Sequence, residues 1–332
     1  MELYTTVDCK KQGPAISYSS KVMMIGSCFA SNMGERMRRL KFDVMVNPYG
    51  VLYNPLSISA ALLEIVADKV YSDDDLIFFD GRYHSMMHHS SFSGDDSVVV
   101  LSNINAALQQ AHDCLLQADW LILTFGTSYI YSLPGGTVVA NCHKMPERNF
   151  MRDLCPHEAM TREYAGMIDR LLSFNPRLRF IFTVSPIRHL RDGLHNNQVS
   201  KANLVIFVND LLRDYPGRAY YFPAYELMLD ELRDYRFYDE DMVHPSKLAV
   251  DYIWSKFVSM YMSDDARSTM DACESVARMM EHRPFDASSP AYMKFLDKLE
   301  NTIVGLSDHN HSLDFSKELE YVYQSRKCRG KR

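Results

Sequence analysis

The sequence predicts an α/β protein built on a parallel sheet. Short apolar runs alternate with amphipathic stretches long enough for helices, which is the pattern of strands joined by crossover helices. Several of these runs stop at turn-forming residues, among them Gly26, Asn47, Gly126 and Ser185. Hydrophobic residues make up 47% of 332 positions, ample for a large buried core.

Residues 22–25 read as a buried strand, followed by glycine and a helix over 30–40. Residues 42–46 form a second strand. Asn54 then caps a helix with Pro55 in its first turn, running to about residue 70. Residues 76–101 interrupt the alternation, and LIFFDGRYHS within them reads as an inserted β-hairpin. Ser102 can cap a helix through residue 118, and 120–124 is the next strand. YIYSLPGGTVVA, with Pro-Gly-Gly at its centre, reads as a second inserted hairpin. A helix over 157–174 leads to a strand at 178–184, ended by Ser185 and Pro186. A helix over 198–214 leads to a strand at 218–222, then a short helix at 224–232. Residues 246–262 form the last helix of the core. The expected division is therefore a domain over 1–262 and a helical C-terminal extension over 263–332 packed on it, with a basic end RKCRGKR.

Charge and cysteine content narrow the function classes. The 36 Lys and Arg against 42 Asp and Glu leave a net charge of −6, which excludes nucleic-acid binding driven by net charge. No apolar run has the length of a membrane span, and MELYTTVDCKKQGP lacks the basic-then-apolar layout of a secretory signal. Seven scattered cysteines include no Cys-x-x-Cys pair. The expectation is a cytoplasmic protein with mostly unpaired thiols and no membrane partner.

In open parallel sheets, ligands bind beyond the carboxyl ends of the strands. Ser27 and Cys28 follow the first strand and open a helix, where free N–H groups and the dipole favour a thiolate or oxyanion. Serine needs a base to attack, whereas cysteine is already partly thiolate. Downstream, His244 can be that base, and Asp241, three residues earlier, can hold its tautomer. Gly50 and Gly126 let the backbone approach a carbonyl, and Ser128 can donate to it, together forming an oxyanion hole. Each feature has a plainer explanation: buried cysteines pack as small hydrophobes, Asp-x-x-His recurs by chance, and glycines after strands make turns. The conjunction in chain order is what points to acyl chemistry.

Gly26–Ala30 spells GSCFA, and the chain resembles the GSCFA-domain family, a branch of the SGNH (GDSL-type) hydrolase superfamily. The resemblance also rests on NPYGVLYNPLSI at 47–58, HHSSFS at 88–93, TFGTSYIY at 124–131, NCHKMP at 141–146, SPIRH at 185–189 and DMVHPS at 241–246. It covers about residues 15–262. It implies a three-layer α/β/α sandwich with a five-stranded parallel sheet of order 2-1-3-4-5. It also implies a nucleophile in the first block, with base and orienter in the Asp-x-x-His block that Asp241 and His244 match. SGNH enzymes read Gly-Asp-Ser in the first block. Here Cys28 takes the serine position and Ser27 the aspartate position, so position favours Cys28, with Ser27 as the alternative. Ser128 stands where SGNH enzymes carry an oxyanion-hole asparagine.

The resulting expectation is an acyl-ester hydrolase or acyltransferase without a cofactor, acting on a small-molecule or carbohydrate acyl ester. Arg188 can bind an anionic group of the substrate or pair with a local carboxylate. His89 can line the acyl site, within a pocket walled by Tyr129, Tyr131 and Phe92. Two other classes compete. A binding module can keep the fold without activity, a reading prompted by Ser128. A metal-dependent hydrolase would use His84, His88 and His89, although that segment reads as hairpin and loop. No glycine-rich phosphate loop is present in the sequence.

Overall fold

The computed structural model describes residues 5–286 and 289–327. Cys328 and the rest of the basic end after Lys327 lie outside the described residues. The chain opens with β1 (Val22–Gly26), α1 (Cys28–Arg39), β2 (Val44–Val46) and α2 (Pro55–Val66). A hairpin of β3 (Ile77–Phe79) and β4 (Arg82–His84) precedes α3 (Ser97–Gln117) and β5 (Trp120–Phe125). A small antiparallel sheet follows, made of β6 (Tyr129–Ser132), β7 (Val138–Val139) and β8 (Met151–Leu154). The main alternation resumes with α4 (His157–Phe174), β9 (Arg179–Val184), α5 (Gly193–Asp214) and β10 (Ala219–Tyr221). A short α6 (Ala224–Glu226) and α7 (Lys247–Tyr261) complete it. Beyond lie α8 (Asp264–Met280), α9 (Pro290–His309) and α10 (Ser316–Lys327).

The main sheet has five parallel strands in the order β2-β1-β5-β9-β10. The expected order 2-1-3-4-5 counted the parallel strands alone. In the full chain the numbers differ because the strands of the two inserted sheets intervene. Along β1, Val22 and Met24 enter one hydrophobic cluster and Met23 and Ile25 another, as the two-residue side-chain period of a strand requires. The first cluster also takes Phe29, Met33 and Met37 of α1 and Ile253 and Phe257 of α7. Met270 of α8, Leu296 and Leu299 of α9, and Val322 of α10 join it. The second takes apolar faces of α2, α3, α4 and α5, including Leu62, Leu108, Tyr164 and Phe207. Both faces of the sheet are thus covered, which is why its central strands are buried nearly throughout and largely apolar.

Local chemistry explains the boundaries. Asn54 accepts from the Ser57 amide at 2.8 Å, and Pro55 begins α2 as read from the sequence. Several boundaries differ from expectation: α1 starts two residues earlier, β2 two residues later, and α2 ends at Val66 and not near residue 70. Helix α3 starts at Ser97, not after Ser102, because the Asp96 carboxylate accepts from the Val98 amide at 2.8 Å. Helix α5 starts at Gly193, five residues before the position expected. The short helix after β10 widens into a π turn over Leu227–Glu231, which carries Glu231 to the Val7 amide and the Lys256 ammonium, each at 2.9 Å. The second insertion also gains a third strand, β8, that the sequence did not announce.

Candidate functional site

Beyond the carboxyl ends of β1, β5 and β9 lies a cavity of about 460 Å³, within the ordinary range for small-molecule sites. Its floor comes from the strand ends: Ser27 and Cys28 after β1, Gly126 and Thr127 after β5, Ser185 and Ile187 after β9. One wall is Tyr53 and Asn54. A second comes from the inserted sheet, with Tyr129, Tyr131, Ala140, Asn141, Cys142 and Arg152. The segment Arg188–Asp192 and His244 close it. Residues more than two hundred positions apart in the sequence therefore meet in one concavity.

Gly26 sets the turn that presents Ser27 and Cys28. Its φ of +151° disfavours any side chain, and a Cβ there would lie 2.2 Å from the Thr124 carbonyl oxygen. The Asn47 side chain fastens the same turn, accepting from the Gly26 amide and donating to Ser31 Oγ, both at 2.8 Å. Ser27 is the N-cap of α1, with its hydroxyl accepting from the Phe29 amide at 3.3 Å, and it is 2% exposed. Cys28 is the first residue of α1, partly exposed, with Sγ 3.7 Å from the Tyr53 hydroxyl. Burial raises the Tyr53 ionisation well above its ordinary value, and the neighbouring Cys28 raises it further. Tyr53 therefore stays a protonated donor beside the sulfur.

Asp241 and His244 form a tight unit. One carboxylate oxygen accepts from the backbone amides of Val243 and His244, both at 2.9 Å. The other meets His244 Nδ1 at 2.6 Å. The bonds from the His244 amide and imidazole, with that from the Val243 amide, lower the Asp241 pKa to about 2. The carboxylate is ionised at any working pH and fixes the proton on Nδ1, leaving Nε2 free to accept. Among the described residues no hydrogen bond joins His244 to Cys28 or Ser27.

The expected oxyanion donors are placed differently. The Gly126 and Thr127 amides both donate to the Tyr53 carbonyl, at 2.8 and 3.1 Å. Gly126 lines the cavity, but its N–H is already engaged. Ser128 is fully buried: its amide donates to Ser200 Oγ and its hydroxyl to the Ser200 carbonyl, at 2.9 and 3.2 Å. It joins β6 to α5 and does not reach the cavity. The Gly50 amide closes a turn on the Asn47 carbonyl at 2.7 Å. Gly50 has φ +76°, and a Cβ there would lie 2.2 Å from that of His89. His89 packs on this glycine and accepts from the Ser91 amide, away from the cavity lining. Tyr129 and Tyr131 line the cavity as expected, whereas Phe92 packs beside His88.

The histidine cluster has a structural explanation. His84 Nδ1 meets Ser93 Oγ at 2.7 Å, His88 Nδ1 meets Ser85 Oγ at 2.9 Å, and His143 Nε2 meets the Ser85 carbonyl at 2.8 Å. Among the described residues no group of three His, Cys, Asp or Glu side chains is placed to hold a metal ion. The six described cysteines are unpaired thiols, and Cys142 shares the cavity with Cys28.

Sequence reasoning missed the buried cation beneath the floor. Lys201 on α5 donates at 2.7 Å to both the Gly126 and Ser185 carbonyls, tying the exits of β5 and β9 together. Burial lowers its pKa to about 7, while its two acceptors favour the charged form. A lysine in a polar helix reads as solvent-facing; only its polar partners reveal this role. Also missed was the Arg152–Asp192 ion pair, whose second contact is 2.7 Å. It ties β8 to the start of α5, with the guanidinium 4.3 Å from the Tyr129 ring centroid. Asn141 accepts from the His143 amide at 2.9 Å through Oδ1, which leaves its amide nitrogen as a donor at the cavity wall. A larger open groove of about 680 Å³ borders α1, α7 and α10. Three of its four cations are already paired, Arg36 with Asp251, Arg39 with Glu281 and Lys41 with Glu318.

No helix among the described residues is long and apolar enough to cross a membrane. No curated protein matches the chain. Residues 21–257 match the model of the GSCFA family, and residues 273–326 match that of the GSCFA domain protein, C-terminal domain. The first match takes in the whole parallel sheet and the cavity at its edge, and on it the chain belongs to the GSCFA family.

Proposed function

We propose that the chain is an acyl-ester hydrolase or acyltransferase of SGNH type, with a three-layer α/β/α core and Cys28 as nucleophile. The observation that carries this reading is a single cavity shared by Cys28 and by His244, whose imidazole is held by an ionised Asp241. Cys28 is favoured over Ser27 because its sulfur is the more exposed and the Ser27 hydroxyl is occupied in capping α1.

In this mechanism His244 Nε2 takes the Cys28 thiol proton as sulfur attacks the acyl carbonyl. The tetrahedral oxyanion forms at the N-terminus of α1, where the Cys28 amide lacks an intrahelical acceptor. The Asn141 side-chain amide is a second donor within the same wall. Collapse of the intermediate breaks the ester C–O bond, and the histidine returns its proton to the leaving alcohol. The resulting thioester is attacked by water or by an acceptor hydroxyl, amine or thiol, with His244 again as base. The substrate class is a small-molecule or carbohydrate acyl ester, and the chemistry needs no cofactor.

The test is formation of an acyl-enzyme from 4-nitrophenyl acetate, followed as a 42-dalton-scale mass gain on the Cys28 peptide, a gain of roughly one acetyl group. His244→Ala and Asp241→Ala each lower the rate of acylation by about 10²-fold or more. Undiminished labelling in both variants sinks the triad, and labelling that survives Cys28→Ala but not Ser27→Ala moves the nucleophile to Ser27. A second reading, a binding module that retains the fold, is favoured by the engagement of the Gly126, Thr127 and Ser128 donors. Absence of turnover over a broad panel of esters and thioesters, together with tight ligand binding in the cavity, would select it.

A further inference from the structure

The cavity has an uneven charge. Three arginines, Arg152, Arg188 and Arg191, line it against one aspartate, Asp192, in a chain whose net charge is −6. Two of the three are neutralised locally. Arg152 is paired with Asp192, and Arg191 with Glu147. Arg188 has no carboxylate partner among the described residues. Its guanidinium carbon lies 4.3 Å from the centroid of the Tyr238 ring and 6.0 Å from that of Tyr235, two rings just outside the cavity, and among the described residues no hydrogen bond occupies its side-chain N–H donors. The backbone amide of Arg188 donates to the Val243 carbonyl at 3.3 Å, so the residue is anchored beside His244. A guanidinium with no carboxylate partner is suited to bidentate recognition of a planar oxyanion.

We propose that Arg188 is an anion subsite, and that the acyl compound reaching Cys28 carries a carboxylate or phosphate a few bonds from its reacting carbonyl. The cavity volume of about 460 Å³ keeps the anion and the carbonyl within one small molecule. The acyl part of this statement rests on the acyl-transfer reading above; the anion subsite does not.

Two measurements separate them. The first needs no turnover: the rate of Cys28 alkylation by anionic iodoacetate relative to neutral iodoacetamide, read by mass spectrometry of the Cys28 peptide in the full chain. Taking the ratio cancels any change in sulfur reactivity. Arg188→Gln lowers that ratio by about 10-fold, the scale of one charged hydrogen-bonded contact, and Arg188→Lys restores part of it. Arg213→Gln, at an arginine of α5 outside the cavity lining and paired with Asp210 and Asp214, leaves the ratio within about 2-fold. Thermal melts of all variants check folding. A ratio unchanged in Arg188→Gln overturns the subsite.

The second measurement locates the anion. Turnover of 4-nitrophenyl hemisuccinate is compared with that of 4-nitrophenyl butyrate, and the acetyl ester of 4-hydroxybenzoate with that of 4-hydroxybenzamide. An Arg188-dependent preference in the first pair puts the anion on the acyl side, and in the second pair on the leaving group. Preferences independent of Arg188 in both pairs overturn the acidic-substrate assignment. A fallen alkylation ratio without turnover of any ester leaves the subsite standing and counts against acyl transfer instead.

Discussion

Acid should loosen the inserted wall of the cavity through one buried imidazole. His88 is fully buried, stacked at 4.3 Å on Tyr49, with its Nδ1 on Ser85 Oγ and its Nε2 without a partner among the described residues. Desolvation, with smaller contributions from Lys69 and His143, lowers its pKa from 6.5 to about 3. Below pH 6.5 the unfolded chain takes up a proton that the folded chain refuses, so stability is complete above that pH and falls as pH drops toward 3. At pH 5 the unfolded group is about 1.5 units below its pKa, and at about 1.36 kcal/mol per unit the loss is about 2 kcal/mol. His88→Phe keeps the stacking and removes the titration. It forfeits the Ser85 bond, worth about 1 kcal/mol, but also removes the buried unpaired Nε2, a gain of the same order, so the two proteins lie close at pH 8. Between pH 8 and pH 5 the wild type loses about 2 kcal/mol more than the variant. Urea unfolding followed by the fluorescence of Trp120 and Trp254 at both pH values measures the two differences. Equal losses in wild type and variant between pH 8 and pH 5 refute the argument. The site feels the same event, because the Met86 carbonyl in this segment accepts from the amides of Ala140 and Asn141, at 2.9 and 3.0 Å.

Two further outcomes test the placement of the expected oxyanion residues. Gly50→Ala combines a positive φ with a contact on His89 and costs about 2–5 kcal/mol in urea unfolding. Gly136→Ala has a similar φ and no atom within 4 Å, so it costs about 1 kcal/mol; equal losses in the two would refute the steric argument. Ser128→Ala costs about 1–2 kcal/mol of stability through Ser200 and leaves ester turnover within about 2-fold. A fall in kcat of about 10²-fold would return Ser128 to the oxyanion hole.

What could be read from the sequence follows a physical division. The parallel strands were legible because both their faces are covered, leaving apolar runs such as 120–124 that few other structures explain. The Asp241–His244 unit was legible because its bonding is local, spanning three residues. Strand β8 was not: its MRDL sequence is mostly exposed and held by pairing to β6, so it carries no apolar period. Lys201 and the Arg152–Asp192 pair were hidden for a related reason. Their partners lie 75, 16 and 40 positions away, and charged residues on polar stretches ordinarily face water. The expected donors Gly126 and Ser128 are already engaged, which the sequence does not show, since it marks which atoms can donate and not which have already done so.

The two oxygens of Asp241 serve two masters, one the backbone of its own loop and the other the imidazole. The loop is closed further by the Asp239 amide on the His244 carbonyl at 2.8 Å and the Ser246 amide on the Phe237 carbonyl at 2.8 Å. The histidine is thus delivered as a preassembled cassette whose internal geometry owes nothing to the parallel sheet. A small tilt of residues 237–246 as a rigid body would change the reach of Nε2 toward Cys28 while leaving the tautomer, the carboxylate contact and the loop itself intact.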